Sequence, residues 1–103
     1  MMKLFDDLDN TLVNPTPSQI RDFILNLTRG DAFAIFEADD QFYMQSSGTV
    51  DTGFILEYRE GSEEKHFGVY NPSLTAEEVI TAFCEYAESK EGYKLRYSWD
   101  ETF

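Results

Sequence analysis

Two aspartates and a threonine stand at alternating positions near the start of the chain, as Asp7, Asp9 and Thr11. Side-chain oxygens spaced in this way are typical of a calcium-binding loop. Such a loop needs a glycine at its sixth position and a glutamate at its twelfth. This chain has Leu12 and Ser18 at those positions. The sequence therefore predicts no calcium site here.

The same stretch, Asp7-x-Asp9-x-Thr11-Leu12, resembles the first motif of the haloacid dehalogenase superfamily of phosphohydrolases. The resemblance implies that Asp7 attacks a phosphoryl group and that Asp9 acts as acid and base. It also implies a buried parallel strand before the motif and a lysine that stabilises the phosphoryl charge. Residues 1–5 are too short and polar for a central strand, and no lysine has the required context. We therefore expect the match to be coincidental and the protein not to be an enzyme.

The single histidine and the single cysteine are the other candidates for chemistry. A contact between His66 and Glu57 would be able to tune a general base, but no partner nucleophile is recognisable. A charge pair on a hairpin is the preferred interpretation. Cys84 alone excludes an internal disulfide and a cysteine-based zinc site, and it is expected to be a buried structural thiol. The sequence predicts no metal site and no cofactor.

The charge balance restricts the classes of partner. The chain has 8 Lys and Arg against 20 Asp and Glu, which gives a net charge of −12. A field of this sign repels nucleic-acid backbones and anionic membranes and speeds encounter with a basic protein. No apolar run is long enough for a membrane helix, and the first 15 residues do not look like a secretory signal. These features favour the cytoplasm.

The 103 residues are expected to form a single domain, with an acidic lead segment at 1–15 and a C-terminal arm or edge strand at 93–103. Capping signals at Thr16 and Gln19 predict a helix over 17–29, and Thr75 and Glu78 predict a second one that ends before Gly92. Between them lie four segments with strand composition, Ala32–Glu37, Phe42–Ser46, Phe54–Arg59 and His66–Tyr70.

Two hairpins connect these strands in the simplest arrangement. If Gly61-Ser62 is a two-residue turn, Leu56 faces Phe67 and Glu57 faces His66, which puts apolar pairs on one side and charged pairs on the other. The first hairpin is expected to bring Ile35 opposite Met44.

The predicted fold is therefore α+β: a helix, a four-stranded antiparallel meander and a second helix. Both helices are expected on one face of the sheet, together with a C-terminal strand or arm. The other face is then a candidate binding surface of mixed polar and aromatic character. It would carry Tyr43, Gln45, Glu57, Arg59, His66 and Tyr70, with Phe36 and Ile55 among them.

Several stretches after residue 42 resemble small uncharacterised bacterial proteins of the kind proposed as immunity proteins in toxin systems. They are Tyr43-Met44-Gln45, Gly53 to Ser62, His66, Leu74-Thr75, Glu78-Val79 and Ala82-Phe83. The resemblance implies an acidic domain that covers the active cleft of a basic toxin, and it transfers no functional residue.

The leading hypothesis is accordingly a small acidic protein-binding domain of the immunity type. Its candidate partner-binding residues are Tyr43, Gln45, Glu57, Arg59, Glu60, Glu63, Glu64, His66 and Tyr70. One alternative is a nucleic-acid mimic or regulatory binding module with several basic partners. Another is a small-molecule binder with a closed apolar pocket near His66. The oligomeric state stays open.

Overall fold

The computed structural model describes residues 2–27 and 32–101. Within them seven strands form one antiparallel sheet: β1 (Lys3–Asp6), β2 (Thr11–Val13), β3 (Phe33–Asp39), β4 (Phe42–Thr49), β5 (Gly53–Glu60), β6 (His66–Leu74) and β7 (Asp100–Glu101). Their order in the sheet is β2-β1-β3-β4-β5-β6-β7. The helices are α1 (Pro17–Leu25), α2 (Ala76–Ala87) and α3 (Gly92–Arg96).

The predicted architecture is wrong beyond its broad α+β class. The four-stranded meander between two helices on one face is replaced by a sheet of seven antiparallel strands with three short helices. The additional strands β1, β2 and β7 come from segments near the two ends of the chain, of which the first was expected to be a lead segment and the second an arm or edge strand. Residues of both segments therefore belong to the sheet.

Strand β1 is an interior strand, although it has only four residues. It pairs with β2 on one side and with β3 on the other, where Leu4 stands opposite Leu12 and Phe36. Leu4 is completely buried. Because neighbours on both sides satisfy the backbone groups, one buried leucine is enough to stabilise a strand that looks too short and polar in the sequence.

The turn between β1 and β2 is organised by Asp6. Its Oδ1 accepts hydrogen bonds from the backbone N–H groups of Leu8 and Asn10, each at 2.9 Å. The Asn10 side chain donates to Oδ2 at 2.8 Å. Asp9 adopts a left-handed conformation with a φ of 65°, as aspartate tolerates in turns. Asp7 and Asp9 thus lie in an antiparallel hairpin turn and not after a parallel strand.

The β3–β4 pairing differs by one residue from the expected register. Ile35 stands opposite Gln45, and Phe36 stands opposite Met44. A bulge between Glu37 and Asp39 accounts for the shift near the turn. Since a shift of one residue exchanges the faces of a strand, Phe36 enters the core and is completely buried. The prediction that placed Phe36 on the polar face was wrong.

The β5–β6 pairing differs by two residues from the expected register. A 3-10 turn at Glu63–Lys65 lengthens the connection beyond the predicted two-residue loop. Leu56 therefore stands opposite Val69, and Arg59 stands opposite His66. A shift of two residues preserves the faces, so the separation of apolar and polar side chains in this hairpin is retained.

Both helix starts are confirmed. Thr16 and Gln19 form a reciprocal capping box at α1, and Thr75 and Glu78 form another at α2. Helix α1 ends at Leu25, before the predicted end, and residues 28 and 29 of that prediction lie outside the described residues. Local capping chemistry thus fixes where the helices begin.

The core lies between the sheet and the helices. Helix α2 packs on β4 and β5, and α1 contacts α2. The ring centroids of Phe36 and Phe83 are 5.8 Å apart, and both residues are completely buried. At the C-terminus Trp99 and Tyr93 pack edge-on against Tyr58, with centroids 4.6 and 5.4 Å from its ring. Residues Tyr93 and Trp99 therefore pack on the buried side of the sheet, and Asp100 and Glu101 then join its edge as β7.

Candidate functional site

One face of the sheet carries a connected group of polar and aromatic side chains. We call it the open face and define it by the outward residues of β3 to β6: Phe33, Ile35, Tyr43, Gln45, Ser47, Ile55, Glu57, Arg59, His66, Gly68 and Tyr70. Helix α2 and the rings of Tyr93 and Trp99 pack on the opposite face. Apart from His66 and Gly68, the residues of the open face are half-buried or exposed.

Glu57 lies at the centre of the open face and accepts hydrogen bonds from three of the described side chains. Its Oε1 accepts from the Gln45 side-chain amide at 2.6 Å. Its Oε2 accepts from the Tyr70 hydroxyl at 2.5 Å and lies 3.3 Å from Nε2 of His66. Only 17% of the Glu57 side chain is exposed. These contacts fix the carboxylate in one position on the sheet.

His66 connects Glu57 to Arg59. The Nε–H of Arg59 donates to Nδ1 of His66 at 3.0 Å. Because an arginine can only donate, Nδ1 must be the acceptor nitrogen, so the imidazole is neutral and carries its proton on Nε2. That proton then points to Glu57. The Glu57–His66 contact expected from the sequence is confirmed, and it runs diagonally between the strands because His66 stands opposite Arg59.

Arg59 also orders the end of the open face nearest the hairpin turns. Its Nη1 donates to the side-chain oxygen of Gln41 at 2.6 Å, and its guanidinium lies 5.4 Å from the centroid of the Tyr43 ring. Tyr43 in turn meets His66 edge-on, with centroids 6.0 Å apart. Burial raises the pKa of Tyr43, which keeps its hydroxyl protonated.

Gly68 makes room for Tyr70. A Cβ built on Gly68 would lie 2.3 Å from the hydroxyl oxygen and from Cζ of Tyr70. Gly68 stands opposite Glu57, so the Tyr70 ring crosses the glycine to reach the carboxylate. Here the absence of a side chain is what allows the contact.

The predicted carboxylates divide into two groups. Glu63 and Glu64 are exposed on the 3-10 turn beside the open face. Glu60 alternates with Arg59 and lies toward the other face, where its Oε1 is 2.6 Å from Nζ of Lys94. The structure thus brings together Tyr43, Gln45, Glu57, Arg59, His66 and Tyr70, and it does not bring Glu60 to them.

A shallow depression of about 310 Å³ lies beside Glu57 and is lined by Phe33, Ile35, Gln45, Ser46, Ser47 and Glu57. Phe33 and Ile35 were missed from the sequence because their side of the sheet depends on the register between β3 and β4, and Ser47 was missed because the predicted strand ended at Ser46. His66 does not line this depression. This depression is therefore not the closed apolar pocket near His66 that the small-molecule alternative predicts.

The remaining chemical candidates lie elsewhere. Cys84 is half-buried, and burial raises the pKa of its thiol, so the protonated form is favoured. Among residues 2–27 and 32–101 no group of three or more histidine, cysteine and acidic side chains has the arrangement of a metal site. None of the helices described here has the length and hydropathy to span a bilayer.

Comparisons with known proteins do not identify a family. No family model, no curated protein and no solved structure matches the chain.

Proposed function

We propose that this protein is a small acidic binding domain of the immunity type, which neutralises a basic protein such as a toxin in the cytoplasm. The net charge of −12 supports a basic partner, because opposite charges accelerate encounter and disfavour acidic competitors. The exposed Glu63 and Glu64 extend this field to the edge of the open face. The partner is proposed to bind on that face.

One observation carries the choice of surface. The polar and aromatic side chains of the open face are ordered by one another, through the contacts that join Gln45, Glu57, His66, Arg59 and Tyr70. Side chains that are already ordered lose less conformational entropy when a partner binds. Tyrosine and arginine are also the residue types most enriched where binding energy concentrates. The open face therefore combines preorganisation with suitable chemistry.

The experiment begins with capture from the host cell and continues with the purified captured protein. Association and dissociation rates are measured between 50 and 500 mM salt. A basic partner is expected to associate at least about tenfold more slowly at 500 mM than at 50 mM salt. The reason is that interactions between exposed charges are largely screened beyond the Debye length, which is about 10 Å at 0.1 M salt and shorter at higher salt. A rate that does not change with salt would contradict a charge-guided encounter.

Matched variants then locate the surface. Glu63→Gln with Glu64→Gln removes two charges beside the open face. Asp22→Asn with Glu88→Gln removes one exposed charge on α1 and another directly after the end of α2. The first pair is expected to slow association by about threefold or more, and the second pair by much less. Equal effects of the two pairs would indicate a general field effect and would contradict binding on the open face.

A further inference from the structure

Glu57 carries a charge for which the described residues supply no directly contacting Lys or Arg. Its three partners are the amide of Gln45, the hydroxyl of Tyr70 and the neutral imidazole of His66. Within residues 2–27 and 32–101, Arg59 is engaged with His66 and Gln41 and forms no ion pair with Glu57. A carboxylate that is only 17% exposed gains strongly from a cation that approaches it.

The depression beside Glu57 has a volume of about 310 Å³ and a lining suited to the tip of a long cationic side chain. Phe33 and Ile35 supply an apolar wall, and Glu57 and Gln45 supply hydrogen-bond acceptors. Among the described residues Oε1 of Glu57 accepts one hydrogen bond, so a second lone pair remains for a new donor. Phe33 is 37% exposed, which leaves its ring accessible from the depression and the solvent.

We propose that this depression binds the guanidinium of one arginine of the basic partner. This inference rests on the proposed function and names the anchor of that interface. The arginine donates to Oε1 of Glu57, its stem packs on Ile35, and its planar guanidinium contacts the Phe33 ring. Arginine suits the site better than lysine, because it is less strongly hydrated and is planar enough to stack on an aromatic ring.

The larger depression, of about 400 Å³, lacks this combination. It lies between the end of β5 and helix α3, and Lys90, Glu91 and Lys94 are among its lining residues. Lys94 forms ion pairs with Glu60 and Glu91, and Lys90 pairs with Glu88. The charges of Lys90, Glu91 and Lys94 are therefore already matched within the chain, whereas the charge of Glu57 is not matched by a described Lys or Arg.

The test uses the full chain and three end-blocked pentapeptides, Gly-Gly-X-Gly-Gly, in which X is arginine, lysine or citrulline. Citrulline keeps the shape of arginine and removes its charge. Binding is followed by two-dimensional NMR of the labelled protein. The arginine peptide is expected to shift the side-chain amide of Gln45 and the backbone amides of Ile35 and Ser47. The lysine peptide is expected to bind several-fold more weakly, and citrulline not measurably.

Variants of the protein complete the design. Glu57→Gln is expected to lower the affinity for the arginine peptide by at least about tenfold, as for loss of a hydrogen bond to a charged group. Glu63→Gln, which removes an exposed charge nearby, is expected to change the affinity for the arginine peptide by less than about twofold. Ser47→Trp fills the depression without altering Glu57 and is expected to abolish binding. It also keeps the inference testable if the Glu57 variant does not fold.

The outcomes separate this inference from the proposed function. Arginine binding that maps to Glu63 and Glu64, or that survives both Glu57→Gln and Ser47→Trp, overturns the arginine site and leaves the basic-partner proposal intact. The absence of arginine binding overturns the site as well. If no basic partner binds the open face but the peptide binds at Glu57 as described, the proposed function falls and the arginine site is supported.

Discussion

The hydroxyl of Tyr70 reaches across Gly68 to donate a hydrogen bond to Oε2 of Glu57, at 2.5 Å. The contact links β6 to β5 on the open face and orients the carboxylate that we propose as the anchor for a basic partner. A glycine, a tyrosine and a glutamate thus act together, although their positions in the sequence give no hint of this.

Gly68→Ala should therefore disturb more than one residue. The added methyl group meets the Tyr70 ring, so the ring must move and its bond to Glu57 is lost. We expect the free energy of unfolding, measured with urea, to fall by about 2 kcal/mol. Tyr70→Phe, which removes only the hydroxyl, should cost about 1 kcal/mol. In the double variant the two losses should not add, and strict additivity would show that the residues are independent.

The corrected register of β3 and β4 can be tested by two truncations. Phe36 is completely buried in the core, whereas Ile35 is half-buried on the open face. Phe36→Ala should lower the free energy of unfolding by about 3–5 kcal/mol, and Ile35→Ala by about 2 kcal/mol or less. Urea unfolding of both variants gives the comparison. A larger loss at Ile35 would support the register that we reject.

The tautomer of His66 gives a direct spectroscopic test of the polar network. Because Arg59 donates to Nδ1, the ring proton should reside on Nε2 at neutral pH. Side-chain nitrogen NMR should then show an unprotonated Nδ1 and a protonated Nε2. Replacement of Arg59 by Met removes the donor and should allow the other tautomer to appear. A proton on Nδ1 in the unchanged protein would be incompatible with the Arg59 contact.

The raised pKa of Tyr86 leads us to expect that the free energy of unfolding falls at alkaline pH. Its ring lies 5.7 Å from that of Phe36, and burial raises its pKa from 10.0 to about 12. The folded state thus holds this proton more tightly than the unfolded state. The resulting stabilisation is complete below pH 10 and is lost as the pH rises from 10 towards 12. Urea unfolding between these values should show a shallower decline for Tyr86→Phe. Parallel declines would argue against this contribution.

The features that the sequence predicted correctly are local ones. The capping boxes at Thr16 and Thr75 depend on residues three positions apart, so their chemistry is visible without the fold. The contact between Glu57 and His66 was also predicted correctly, although the register was wrong. A shift of two residues between β5 and β6 leaves both side chains on the same face of the sheet.

The features that were missed depend on distant parts of the chain. Strand β1 is stable because β2 and β3 flank it. No pattern within its own four residues indicates that these neighbours are present. The position of Ile35 on the open face follows from the bulge beside Asp39, which changes the register of the whole strand. The depression beside Glu57 joins residues from three strands and could not be assembled from a wrong register.

Hydrogen–deuterium exchange tests the binding of a basic protein by the open face most directly. The protein is measured alone and in complex with the purified basic protein captured from its host. The central strands β4 and β5 and the adjoining turn at Glu63 should exchange more slowly in the complex, while helix α1 is unchanged. Protection confined to α1 and α2, with the open face unaffected, would contradict the proposed function.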